Sequence, residues 1–152
     1  MPLALQARRL AMRCAYAGLR TYWFLLRPQI TGVKCVVTHG EDVLLVRHTY
    51  GHRDWDLPGG TVKRHERPLD AARREMNEEL GRRIEDWVAL GELYVHVDHR
   101  RDNLHLFQAQ LPDRQLDIDL TELAEAVWFA QDALPRDVGR FVRPIMTRVG
   151  RA

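Results

Sequence analysis

Glu66, Arg74, Glu75, Glu78 and Glu79 occupy fixed offsets between Gly59-Gly60 and Gly81. Pro68 opens a helix there, because its missing N–H needs no partner in a first turn. Asp70 favours the positive end of that helix, and Gly81 suits the left-handed position that closes it. Leu69, Ala72, Met76 and Leu80 recur at helical spacing and form a buried stripe. At about 100° per residue, Glu75, Glu78 and Glu79 share an arc of roughly 100° on another side. The bland alternative is a solvated acidic face. The spacing and the bracketing glycines favour a cluster neutralised by divalent cations instead. Carboxylate oxygens suit a hard cation, which can also hold substrate phosphates. Such a centre polarises a diphosphate and activates an attacking water. No His or Cys lies inside the arc, so zinc is not expected.

Other elements must position this helix. Ile30 to Thr38 is Val-rich and reads as a strand, His39 to Asp42 as a turn, and Val43 to Val46 as its hairpin partner. Val88 to Val97 and Asn103 to Leu111 read as a second hairpin joined by Asp98 to Asp102, and Ala126 to Phe129 as a short strand. Helical potential returns from Leu134, interrupted at Pro144. Strands on both sides of a central helix imply an α/β fold with a mixed sheet between helical layers.

Net charge is +2, but residues 1–40 hold six basic residues and no acid, so residues 41–152 are net −4. That distribution does not describe a generic nucleic-acid binder, and no DNA partner is expected. Cys14 and Cys35 are too few for a disulfide framework and read as buried thiols of a cytoplasmic protein. Residues 1–27 form an Arg-rich extension, with an amphipathic helix from about Leu3 to Leu26, and residues 28–152 form the functional domain. Arginines interrupt the extension too often for a membrane span. Packing on its own domain or in a homodimer is expected; contact with anionic lipid or organelle targeting are the alternatives. The helix holds no ligand residues, so the chemistry is expected to proceed without it.

The run Gly60-x5-Glu66-x7-Arg74-Glu75-Met76-x-Glu78-Glu79-x-Gly81 resembles the Nudix box, with Arg82 where the family places an aliphatic residue. The resemblance implies the Nudix α/β/α sandwich with a mixed β-sheet, and hydrolysis of a diphosphate linkage in a nucleoside diphosphate derivative, with Mg2+ or Mn2+ as cofactor. It implies Glu78 and Glu79 as primary metal ligands and Glu75 as a further ligand or the base. Arg74 would orient a carboxylate, Glu66 would brace the loop or join the metal shell, and Gly59 would let backbone approach the metal. Arg67 stands where Ser, Thr or Asp would cap the helix better. Signatures of the ADP-ribose, NADH and coenzyme A subgroups are absent. Arg47, His48 and Arg53 are candidate phosphate contacts. Tyr94, His96, Asp98, His99 and His105 are candidate pocket residues, with Tyr94, His96 and Asp98 on one strand face. Glu122 or Glu125 would be an extra acidic ligand. An inactive Nudix-fold binding module is the alternative, disfavoured because all four box glutamates are present. An isoprenoid diphosphate isomerase would need a catalytic Cys, and Cys35 has no matching context.

Overall fold

The structure is a computed structural model that describes residues 3–26, 28–97 and 100–149. It contains α1 (Leu3–Leu26), β1 (Gln29–His39), β2 (Asp42–His48), α2 (Pro68–Leu80), β3 (Val88–Val97), β4 (Arg100–Gln110), β5 (Leu123–Ala130) and α3 (Val142–Met146). The strands form one sheet in the order β3-β4-β1-β2-β5. β1 and β4 run parallel, while the pairs β1–β2, β2–β5 and β3–β4 are antiparallel. The sheet is therefore mixed, as expected.

Alternation along β1 divides the core. Val33, Cys35 and Val37 face α2, where they pack with Ala72, Met76 and Leu80. Val36 faces the other way, into a cluster with Leu45, Leu57, Leu106 and the α3 residues Val142 and Ile145. Burying about two dozen apolar side chains on both faces supplies the main drive to fold, at roughly 1.5–3 kcal/mol for each large one. α2 thus sits on one side of the sheet and α3 on the other.

β1 and β2 pair only at Thr38–Val43 and His39–Asp42, then diverge. Residues 55–62 enter the gap between them. The Val46 and Asp56 backbones exchange hydrogen bonds at 2.8 and 2.9 Å. On the other edge, Val33 N–H donates to Gly60 O at 2.8 Å and Cys35 N–H to Pro58 O at 2.9 Å. This inserted segment carries Gly59 and Gly60 beneath α2.

α2 has the bounds that Pro68 and Gly81 dictate. Gly81 adopts φ 63°, and its N–H bonds back to Asn77 O. Arg67 provides no side-chain cap and instead grips Asp70 at 2.6 Å. Arg82 donates to Asp113 at 3.0 Å and to Gln115 O at 3.3 Å, so the replaced aliphatic position anchors the following loop by charge. Near the C-terminus the expectation needs correction. The helix begins at Val142, and Pro144 lies within it. In a first turn the missing proline N–H breaks no helical bond.

α1 packs on its own chain. Trp23 is buried, Arg13 Nε donates to Thr49 O at 3.1 Å and Arg9 Nε to Leu120 O at 2.9 Å. Its other sides leave Leu3, Leu10, Phe24, Leu25 and Leu26 exposed. Among the described residues no helix is long and apolar enough to cross a membrane.

Candidate active site

The glutamate arc of α2 is graded in burial. Glu79 lies at 3% exposure, Glu75 has a side chain at 12%, and Glu78 at 51% reaches solvent. Arg74 stands among them. Its guanidinium bonds Glu66 through two nitrogens at 2.8 and 2.9 Å, Glu75 at 2.7 Å, Glu78 at 3.1 Å and Thr61 O at 3.0 Å. This fork ties the loop after Gly60 to the helix, a task that suits the planar geometry of Arg. The Arg74 bonds also hold the Glu66 carboxyl down, to about 2. Lys63 N–H adds a bond to Glu66 at 2.8 Å.

Glu79 is held differently. Its Oε2 accepts the Gly59 N–H at 3.3 Å. Burial, then the Glu75 charge, pushes its carboxyl up to about 8, against the opposing pull of Lys34 and the Gly59 N–H. Lys34 points from β1 into the same region, bonding Asp56 at 2.6 Å and Leu57 O at 2.9 Å. Of the two candidate extra acids, Glu122 is raised by burial and by the nearby charges of Asp119, Glu75 and Glu78. Glu125 lies against Arg47 instead.

Among the described residues no three His, Cys, Asp or Glu side chains converge as ready ligands; the Arg74 guanidinium stands among the carboxylates. The residues nevertheless fit a hard divalent cation. All donors are oxygens, and Glu79 is buried, with Lys34 and the Gly59 N–H favouring its charged form. Gly60 keeps space open beside them, since a Cβ there would lie 2.3 Å from Glu75 Oε1.

A cleft of about 440 Å3 opens beside Gly59 and Gly60. Its walls come from β1 (Gly32, Lys34), the end of β2 (His48), the following loop (Tyr50, Asp56) and residues 138–141. Of the sequence candidates, His48 lines this cleft. Arg47 pairs with Glu125 at 3.1 Å and Asp137 at 2.7 Å while covering the Trp55 ring at 4.2 Å. Arg53 is exposed on the loop after β2. Tyr94 and His96 are exposed on β3, an outer strand, where the Tyr94 hydroxyl donates to Glu92. His105 is on β4 beside Glu92, at 3.5 Å. Asp98 and His99 fall outside the described residues. Cys35 is fully buried and burial pushes its thiol up, so it offers no thiolate; Cys14, expected to be buried, is instead exposed on α1.

Sequence reasoning passed over Lys34, Asp56, Tyr50 and Tyr16 as cleft residues. Lys34 did carry a signal, as the lone charge within a Val-rich strand. Tyr16 carried none, because a contact between α1 and the loop after β2 is not written in local spacing. Tyr16 nevertheless brings α1 to the cleft, which it lines.

The buried carboxylate makes stability depend on pH. Folded Glu79 keeps its proton to about 8, whereas its ordinary value is 4.5. The stability tied to that proton is full below about 4.5 and is lost as pH rises toward 8. His48 acts oppositely, because burial lowers it from 6.5 to about 4 and stability from that source grows with pH up to 6.5. Between about 6.5 and 8 the carboxylate acts unopposed by His48. We expect the Tm of metal-free protein to fall across that window. Added Mg2+ should raise Tm most at its upper end, where binding displaces the least proton. Thermal melts with and without chelator check this, and a flat metal-free profile would contradict it.

A family model for the NUDIX domain matches residues 28–149, and the chain belongs to that family. The RNA pyrophosphohydrolase of Bartonella bacilliformis is 32% identical over 80 residues, covering 47% of this chain and 47% of that protein. The RNA pyrophosphohydrolase of Bartonella henselae is 45% identical over 47 residues, covering 31% of this chain and 27% of that protein. The matches thus span about half or less of those relatives. Among solved structures, the MutT NUDIX hydrolase of Burkholderia pseudomallei superposes with a TM-score of 0.74 at 22% identity, covering 80% of this chain and 98% of that one. The MutT protein of Methanosarcina mazei Go1 gives 0.71 at 21% identity, over 83% and 96%. At such identities the likeness shows the shared fold. α1 lies outside the family match.

Proposed function

We propose that this chain is a divalent-cation-dependent hydrolase that cleaves a diphosphate linkage in a nucleoside diphosphate derivative or a related organic pyrophosphate. The observation that carries this reading is the buried Glu79 beside Glu75, both against Gly59 and Gly60, which line the cleft. Glu75, Glu78 and Glu79 would hold Mg2+, or Mn2+ in its place. The bound cation would supply charge neutralisation of the diphosphate and a more acidic attacking water. Water adds to one phosphorus, the bridging P–O bond breaks, and a carboxylate of the cluster takes the water's proton. Arg74 fixes Glu66, Glu75 and Glu78 in one arrangement, so that little reorganisation accompanies the charge change. The Gly59 N–H and Lys34 favour the charged form of Glu79 against burial and the Glu75 charge, and a bound cation would complete its ionisation. The two Bartonella relatives, named as RNA pyrophosphohydrolases, support P–O–P cleavage. Two free thiols support a reducing, cytoplasmic setting.

The test is product release over a substrate panel with Mg2+ and with Mn2+. The panel holds nucleotide sugars, ADP-ribose, dinucleoside polyphosphates, nucleoside triphosphates including oxidised ones, CDP-alcohols and 5′-triphosphate RNA. At least one member should be split at a P–O–P linkage, and only with the divalent cation present. Cation-independent cleavage would defeat the reading.

A further inference from the structure

The cleft has two chemically different ends. One end meets the glutamates through Gly59 and Gly60. The other is closed by a helix that the family match does not include. There the Tyr16 ring of α1 stands 5.5 Å from the Tyr50 ring, and Tyr50 stands 5.5 Å from His48. Trp23 backs Tyr16 edge-on at 5.9 Å. The loop admits Tyr16 because residue 51 is Gly: at φ +68°, a Cβ there would lie 2.9 Å from the ring. Arg9 and Arg13 pin α1 in this position by bonding the backbone of two separate loops.

Asp54, Asp56 and Asp102 line the cleft together with His52, Arg140 and Lys34, the last paired with Asp56 at 2.6 Å. Acidic and basic groups side by side suit a ligand that both donates and accepts hydrogen bonds. His48 is neutral at physiological pH, and its buried Nδ1 has no hydrogen-bond partner. The ligand that fits is planar, uncharged and rich in donors and acceptors.

We propose that α1 is a wall of the substrate cleft and that Tyr16, together with Tyr50, is the surface on which the nucleobase of the substrate lies. This rests on the diphosphate-cleavage reading, since it assigns the other half of the same ligand. The helix that precedes the NUDIX domain thereby becomes a specificity element of this chain.

Binding by calorimetry tests the assignment with the full chain in Mg2+. The probes are the adenosine, guanosine, cytidine and uridine 5′-monophosphates, with ribose 5-phosphate as the reference that lacks a base. At least one mononucleotide should bind the wild type tighter than ribose 5-phosphate by about tenfold or more, the scale of one base–aromatic stack. Tyr16→Leu keeps apolar bulk against Gly51 and Trp23 but removes the ring, and should erase most of that preference. Tyr16→Phe and Leu25→Ala, the latter at an exposed α1 position, should keep it. A wild type without base preference overturns the assignment, as does a Tyr16→Leu protein that retains the preference. P–O–P cleavage persisting in either case would leave the proposed reaction standing. Base preference without any such cleavage would sink the reaction and not this wall.

Discussion

Glu79→Gln is expected to lower turnover by about a hundredfold or more, the range that follows loss of a strong electrostatic group. The amide keeps the shape of a side chain at 3% exposure but brings no negative charge. On the proposed assignment the cation then loses its most enclosed ligand. The same substitution should not harm the metal-free fold. A carboxyl raised to about 8 by burial and by Glu75 costs stability when it ionises, and the amide never ionises. The fall in Tm between about pH 6.5 and 8 should therefore flatten in the variant, and Mg2+ should no longer raise Tm there. Steady-state turnover and melts on one preparation decide the matter. Turnover near the wild-type rate would remove Glu79 from the site.

Gly59→Ala is expected to be the most damaging backbone change, costing about 3 kcal/mol or more and roughly 10 °C in Tm. Gly59 has φ +146°, where a side chain is strained. Its Cβ would also lie 2.2 Å from Val33 O and 3.0 Å from Val33 C. Those are backbone atoms of the central strand, held by β4 on one edge and by the inserted segment on the other. They cannot yield without loss of the Val33–Gly60 and Cys35–Pro58 hydrogen bonds, and the Gly59 N–H would leave Glu79. A thermal melt reads the effect, and a variant melting with the wild type would show that the segment accommodates a Cβ.

What the sequence disclosed was mostly local. α2 could be bounded at Pro68 and Gly81 because a proline first turn and a left-handed closing residue are properties of single positions. The glutamate arc was legible for the same reason, since one helix carries all three residues. Strand positions were legible from Val-rich runs, though β4 begins at Arg100, earlier than Asn103. Non-local features were not legible. Nothing in the spacing of β1 says that it pairs in parallel with β4, or that it parts from β2 after two residue pairs. The meeting of Lys34 with Asp56, and of Tyr16 with Tyr50, depends on that parting and on how α1 folds back. Arg82 looked like a defect in a motif until Asp113 supplied its partner.

The central claim is that the carboxylates of α2 serve cation-dependent cleavage of a P–O–P linkage. Phosphorus NMR of the full chain with its best panel substrate tests this most directly, first with chelator and then after Mg2+ is added in excess to the same sample. The diphosphate signals are expected to persist under chelation and to give way to two phosphomonoester signals, or to monoester and pyrophosphate, once Mg2+ is present. Signals that decay equally under chelation, or that persist with Mg2+ in a folded protein across the whole panel, would contradict it.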